Sequence, residues 1–385
     1  MVSVQSGFAD ERLVRYEAGS SGVPGAAAAS GSLLWTGQIF PQAVDGGISV
    51  QADSCVMQLE KTLQAHGSTL KQVVRLHVVA ASAEIFEPAL QRLIAAFPAG
   101  QRPVITSVVG GLPGGSLVAI DAVALATHGA MNGVVIQDGV AVLPEGTRIF
   151  IAGQAESSDD LAEATTKTLE SLQRTLEWLD RSNADIVQLK AFVQPMSDDS
   201  VAVVRSAVQT FFGGRAVPPL VLVEWRSGAT VPIEIELVAW GGPISEGAPA
   251  AEYLTPPFMK SSPVYARVVR TASSSLIFTG GLGEAPAADV LAAGDAAAAA
   301  AAEVTGAFAR LQRLMDVSGS DLKHLVKATY YVSGDAVSLG LNQLRPRYYD
   351  PLRPPAASKA IVPGVGYSSR TLTMDMIAVP VPRPR

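Results

Sequence analysis

The stretch SLLWTGQIFP (Ser32–Pro41) is an apolar run that stops at Thr-Gly-Gln, which reads as a buried strand meeting a glycine turn. Close echoes follow as RIFIAGQAES (Arg148–Ser157) and SLIFTGGLGE (Ser275–Glu284). Internal repetition at this spacing decides the fold, because each copy is then one structural unit. Downstream of each stretch lies a helical pattern, with apolar residues three and four apart, as in Leu169, Leu172, Leu176 and Leu179. A third anchor follows: Gly67 to Arg75, Ser182 to Lys190 and Gly319 to Lys327 each pass from a helix end into a β-branched or aromatic strand. Next comes a second helix ending in an aromatic residue, at Phe97, Phe212 and Tyr349. Two strands close each copy, the last carrying Asp121, Glu236 and Asp375 in one register.

The chain therefore reads as an α/β (α+β) protein of three tandem β-β-α-β-α-β-β units. Boundaries near residue 130, in THGAMNGV, and near residue 250, in a more linker-like stretch rich in Gly, Pro and Ala, divide it into repeats 1–130, 131–250 and 251–385. One face of each sheet is covered by its own two helices, so the other face needs a partner.

Composition sets limits on function. Hydrophobic residues make up 48% of the 385 and charged residues 17%, enough to build sizeable cores. A formal charge of −6 with scattered Lys and Arg argues against a nucleic-acid surface, which needs clustered cations. The alanine-rich tract Asp295–Leu314 reads as a packing helix with Asp295 as its N-cap, not a membrane span. The start of the sequence lacks the basic and apolar regions of a signal peptide, and Cys55 has no second cysteine to pair with. A cytoplasmic protein is expected. His66, His77, His128 and His324 show no metal-ligand spacing, so neither a metal nor a cofactor is predicted. His77 and Cys55 are expected in the core.

The strand ending in Thr36-Gly37-Gln38, the Gly-x-x-x-x-x-Val-Val-Arg segment from Gly67, and LPGGSLVAIDAVA (Leu112–Ala124) resemble the RidA family, also called YjgF or L-PSP. The resemblance spans nearly the whole chain, three times over, with the middle copy loosest. It implies a chorismate-mutase-like fold and, because such proteins are typically homotrimers with ligand clefts between subunits, an intramolecular pseudo-trimer acting as a monomer. It also implies hydrolysis of small imines or enamines without metal or cofactor. In that family an arginine opening the penultimate strand clamps a substrate carboxylate, since its planar fork pairs with both oxygens. A glutamate on the last strand positions water, and the Ser/Thr-Gly turn holds the ligand.

Here the arginine position falls on Val104, Pro219 and Ala357 or Ser358, and the glutamate position on Ala119, Glu234 and Thr373. No copy keeps the pair. Displaced arginines lie nearby at Arg102, Arg215 and Arg353. The expected catalytic residues are therefore Glu234, Arg215 and Arg102. Ligand contacts are expected from Thr36, Gly37, Gly153, Thr279, Gly280, Tyr349, Arg353, Ser358 and Lys359. Ser358 and Lys359 suggest a nucleophile with its base, but adjacent residues of a strand face opposite ways. The leading reading is a RidA-like hydrolase or deaminase of a small imine, enamine or related amide. A non-catalytic small-molecule binder or interaction scaffold is the alternative, and a ring-opening amide hydrolase of the three-repeat barbiturase and cyanuric acid hydrolase type is a third. Ribonuclease activity conflicts with the acidic balance.

Overall fold

A computed structural model describes residues 12–18, 21–127, 131–226 and 231–381; His128 and the expected boundary at residue 130 lie outside them. Repeat 1 runs β1 (Leu13–Ala18), β2 (Pro24–Ser30), β3 (Leu33–Thr36), α1 (Gly47–Ala65), β4 (Val73–Ala80), α2 (Ala83–Ala95), β5 (Val104–Val109) and β6 (Val118–Leu125). Repeat 2 runs β7 (Val135–Gln137), β8 (Val140–Leu143), β9 (Arg148–Gln154), α3 (Leu161–Trp178), β10 (Ile186–Val193), α4 (Asp198–Phe212), β11 (Leu220–Glu224) and β12 (Ile233–Trp240). Repeat 3 runs β13 (Ala251–Leu254), β14 (Val268–Thr271), β15 (Ser275–Thr279), a short α5 (Ala288–Ala292), α6 (Ala296–Ser318), β16 (Leu325–Val332), α7 (Asp335–Leu344), β17 (Ala356–Ile361) and β18 (Leu372–Ala378). Each repeat has one leading strand more than expected, because its opening hairpin contributes both strands.

Local chemistry explains several of these elements. Asp138 and Gly139 both have positive φ, the two-residue turn that matches the twist of a hairpin, and they join β7 to β8. The Asp295 carboxylate caps α6 by accepting from the N–H groups of Ala297 and Ala298 at 2.9 and 3.0 Å. Gly319, left-handed at φ 78°, ends the same helix. No helix among the described residues is long and apolar enough to cross a membrane.

The opening hairpins do not stay with their own repeats. Three six-stranded sheets form, in the orders β5-β4-β6-β3-β8-β7, β11-β10-β12-β9-β14-β13 and β1-β2-β15-β18-β16-β17. Each hairpin thus completes the sheet of the preceding repeat, and the first hairpin closes the ring by joining repeat 3. Helices cover the outer face of each sheet, giving one apolar layer per repeat. The inner faces meet in a single core drawn from all three repeats, with the aromatics Trp35, Phe150 and Phe278 at matching places. Burying each such ring is worth about 1.5–3 kcal/mol.

A buried layer of charge lies within this trimer-like interior. The last-strand acids Asp121, Glu236 and Asp375 stand opposite His77, Lys190 and Thr329. Two residues earlier on the same strands, Arg75, Gln188 and Lys327 each reach into the preceding repeat. Arg75 Nη1 meets Asp375 at 2.9 Å, Lys327 Nζ meets Glu236 at 2.6 Å, and Gln188 Nε2 donates to the Thr36 carbonyl at 2.9 Å. Arg75 also holds Asp121 of its own repeat at 3.5 Å. His77 Nδ1 lies 2.7 Å from Asp121, so this histidine is a packed core residue.

Candidate functional site

The same turn, after β3, β9 and β15, faces a strand of another repeat in three clefts. The strand registers place Gln38, Gly153 and Gly281 at equivalent positions, one residue off the glycine-to-glycine match that the sequence suggests for repeat 2. What the N–H of that residue bonds to differs each time. Between repeats 1 and 2, Gln38 donates its N–H to the Leu220 carbonyl at 3.1 Å. The Gln38 side chain then pairs with both main-chain groups of Leu222, at 3.1 and 3.2 Å, and fills the cleft. Between repeats 3 and 1, Gly281 N–H donates to the Ile105 carbonyl at 2.8 Å. Between repeats 2 and 3, Gly153 N–H donates instead to the Ser358 hydroxyl, at 3.0 Å.

Glu234 is the acid of that last cleft, and it keeps some exposure while protein surrounds its carboxyl. Its pKa is pushed up to about 7, first by burial and then by the charge of Glu236 on the same face of β12. The Ser358 hydroxyl, Lys327 and Arg267 oppose the rise. Since Ser358 accepts from Gly153, its own proton is free to go to a carboxylate. Glu236 stays below the usual range: burial would raise it, but Lys327 and Lys190 more than offset that. The bare Gly153 leaves room for the Glu234 carboxyl, which a Cβ at this position would overlap and push aside.

The third cleft, between repeats 3 and 1, opens into a cavity of about 380 Å³. Gly25, Ile105, Gly280 and Gly281, Leu90 and Ile94 of α2, Arg310 of α6 and the loop residues Tyr367 and Arg370 line it. The position matching Glu234 is Thr373, whose hydroxyl is 2.6 Å from where a Cβ on Gly281 would lie.

Of the expected site residues, Glu234, Gly153 and Ser358 come together, and Gly280 lines the cavity. The others do not join them. Thr36 and Thr279 are buried, and their hydroxyls accept the N–H groups of Ala122 and Met376 at 2.9 and 3.1 Å, so they hold the last strand rather than a ligand. Gly37 N–H is taken by the Gly139 carbonyl at 2.8 Å, and Gly280 N–H by that of Gly25 at 2.9 Å. Arg102 donates to the Ser21 carbonyl, and Arg215 is exposed at the end of α4, bonded to the Phe212 carbonyl at 3.1 Å. Arg353 is exposed in the turn before β17. Tyr349 is buried, its hydroxyl against that of Tyr330 and its ring edge-on to Phe308.

Lys359 points away from Ser358 to Ser338 and Asn342, at 2.9 and 3.2 Å, so no Ser-Lys dyad forms. Burial pushes the Cys55 thiol up to about 12, which leaves it an inert core residue. Among the described residues no group of three or more His, Cys, Asp or Glu is arranged to hold a metal ion. Sequence reasoning did not single out Arg267, which acts on Glu234, or Arg310 and Arg370, which line the cavity, because these placements arise only when the repeats pack together.

No family model matches the chain, and no curated protein matches it. Solved structures do. An uncharacterized Pseudomonas aeruginosa protein is 22% identical over 30% of this chain and 98% of its own, with a TM-score of 0.24. A YjgF-family protein from Neisseria meningitidis is 18% identical over 34% of this chain and 97% of its own, with a TM-score of 0.24. A Mycobacterium tuberculosis member of the YjgF/YER057c/UK114 family is 24% identical over 30% of this chain and 99% of its own, with a TM-score of 0.23. The similar solved structures are proteins of the RidA/YjgF/L-PSP fold, and each spans about one third of this chain, the size of one repeat.

Proposed function

We propose that this protein is a RidA-like hydrolase or deaminase of a small imine, enamine or related amide, working in the cleft between repeats 2 and 3. Glu234 carries the reading. A carboxyl with a pKa of about 7 is present in both forms near neutral pH and can take up and return a proton in one turnover. With an iminium substrate, the Glu234 carboxylate removes a proton from water as the water oxygen bonds to the imine carbon. The C=N electron pair moves to nitrogen, giving a neutral carbinolamine. Glu234 then returns the proton to that nitrogen, the C–N bond breaks as the oxygen lone pair forms the carbonyl, and the hydroxyl proton passes through the regenerated Glu234 carboxylate to the departing ammonia, which leaves as ammonium. Arg267, near enough to Glu234 to lower its pKa, takes the place of the family's arginine as partner for a substrate carboxylate. One chain supplies all three clefts and acts as a monomer.

The test is ammonia release from a 2-aminoacrylate-type imine generated in situ. Glu234→Gln should lose about 100-fold or more of the rate while melting normally. Wild-type rate should rise with pH through about 7, as the base form of Glu234 accumulates, and the variant should lose that limb. A variant as fast as wild type would sink the proposal. A second reading, a non-catalytic binder of small molecules, is favoured by the cavity between repeats 3 and 1, where Thr373 replaces the acid.

A further inference from the structure

We propose that a cavity beside the β7–β8 hairpin, apart from the three clefts, binds a small phenol. Each hairpin carries one residue in the same place. Arg15, Ile136 and Tyr253 pair with Ala27, Ala141 and Val269, which pair in turn with Phe278, Trp35 and Phe150. In two repeats this side chain is tied to the single helical turn that leads into β4 or β16, at Leu70–Gln72 or Leu322–His324. Arg15 Nη2 donates to the Lys71 and Val73 carbonyls at 3.0 and 3.1 Å. The Tyr253 hydroxyl shares its proton between the Lys323 and Leu325 carbonyls at 2.8 and 3.0 Å. With Gln188 matched to Arg75 and Lys327, the counterparts in repeat 2 are Ala184 and Ile186. Ile136 has no polar atom to offer them, and a cavity of about 230 Å³ lies there instead.

Val134, Ile136, Phe212 and Ala216 give the cavity apolar walls, and Asn183, Ala184 and Arg215 complete it. The three clefts share none of these residues. A cavity of about 150 Å³ holds a benzene ring, so this one admits a substituted ring. The polar groups ask for a donor. Asn183 is 6% exposed, and its Nδ2 donates to Gln173 at 3.1 Å, but its Oδ1 has no hydrogen-bond partner. A buried acceptor left unpaired is costly, which favours a ligand that donates. Among the described residues Arg215 is the one charged group in the lining, so a cation in the place of the Arg15 guanidinium would be repelled. A neutral donor on an apolar ring meets both conditions. Repeat 3 shows the arrangement: the Tyr253 ring packs against the inner core while its hydroxyl meets the two carbonyls. A free phenol reproduces that side chain where repeat 2 carries Ile136.

An NMR titration with 4-methylphenol as the probe, and 4-methylanisole as the same ring without the O–H donor, tests the proposal. Wild type should bind 4-methylphenol saturably at one site per chain. It should bind 4-methylanisole about fivefold or more weakly, because the buried acceptors then stay unpaired. Ile136→Tyr supplies the phenol from the chain itself, as Tyr253 does in repeat 3, and should abolish binding of the free one. Ala216→Trp blocks the cavity from an exposed position, where folding does not depend on the side chain, and should do the same. Melting curves confirm that each variant is folded, and Ala216→Trp decides if Ile136→Tyr is not. Glu234→Gln should bind 4-methylphenol as wild type does, and Ala216→Trp should leave imine hydrolysis unchanged, so this proposal and the enzymatic one stand or fall separately. No saturable binding of 4-methylphenol, equal binding of 4-methylanisole, or undiminished binding by a folded blocking variant would overturn the assignment.

Discussion

Arg75→Met removes the cation that ties repeat 1 to repeat 3. The side chain is 2% exposed and holds Asp375 at 2.9 Å and Asp121 at 3.5 Å, with the guanidinium over the Trp35 ring. Methionine fills part of the volume but leaves two carboxylates in a dry interior. Breaking a buried pair from one side costs about 3–5 kcal/mol. For 385 residues melting as one unit, the unfolding entropy is on the order of 0.8 kcal/mol/K, so the melting temperature should fall by about 4–6 °C. The pH dependence has a definite sign. In the wild type, against burial, His77 and then Arg75 hold Asp121, and Arg75 and then Lys190 hold Asp375, below the usual carboxylate range. Their contribution is present above the ordinary aspartate pKa and is lost as pH falls through the lower folded values. In the variant, burial acts without Arg75, so the same acids take up protons more readily in the folded state. His77, whose pKa burial, Lys190 and Arg75 keep low against Asp121, also becomes somewhat easier to charge. The gap in melting temperature should therefore be widest at neutral pH and narrow on acidification. Scanning calorimetry of Arg75→Met, and of Arg75→Met with Asp121→Asn and Asp375→Asn, decides the matter. A gap under about one degree, a gap independent of pH, or a triple variant no better than the single one would refute the reasoning.

Further outcomes follow from individual contacts. Thr36→Val keeps the shape but orphans the buried N–H of Ala122, and urea unfolding should show a loss of about 1–3 kcal/mol. Gly153→Ala sets a methyl group against the Glu234 carboxyl and pushes it aside, so imine hydrolysis should fall with that of Glu234→Gln while circular dichroism shows the fold unchanged; hydrolysis at the wild-type rate would show that Glu234 is not the group that carries the proton.

Much of the architecture was legible because three copies repeat the same signals. The turns after Trp35 and Phe278, the Asp295 cap and the shared register of Asp121, Glu236 and Asp375 all follow from local chemistry. The middle copy was misread in two places for physical reasons. At β10, matching Lys190 to Arg75 slips the strand by two residues, which a period of two conceals because the same face stays inward. The observed pairing sets Lys190 opposite Glu236, as His77 stands opposite Asp121, and Gln188 is the true counterpart of Arg75. At the turn, Ala152 sits where Gly37 and Gly280 do, and the glycine moves one place on because Glu234 occupies the space a side chain would need. The exchanged hairpins left no local trace. Only Gly31 and Ser32 separate β2 from β3, yet the two strands enter different sheets, and nothing in either strand names its partner. Arg267, Arg310 and Arg370 escaped for the same reason.

The hairpin exchange bears directly on how the clefts diverge. A homotrimer must carry the same residue at every symmetric position, so all of its clefts change together. In this chain one position holds Gln38, Gly153 and Gly281, and each choice gives a different cleft: one filled by a side chain, one presenting an acid beside a hydroxyl, one opening into a cavity. Such divergence is tolerable only if the ring stays closed while its parts change. The exchanged hairpins provide for that, because β2 pairs with β15 and ties the β1–β2 hairpin to the last repeat. Arg75, Gln188 and Lys327 add a second set of links from each repeat to the one before it. The cleft residues Gln38, Gly153 and Gly281 also bond across repeats, but to a different partner each time, so the links they make can change while the hairpins and buried charges hold the ring.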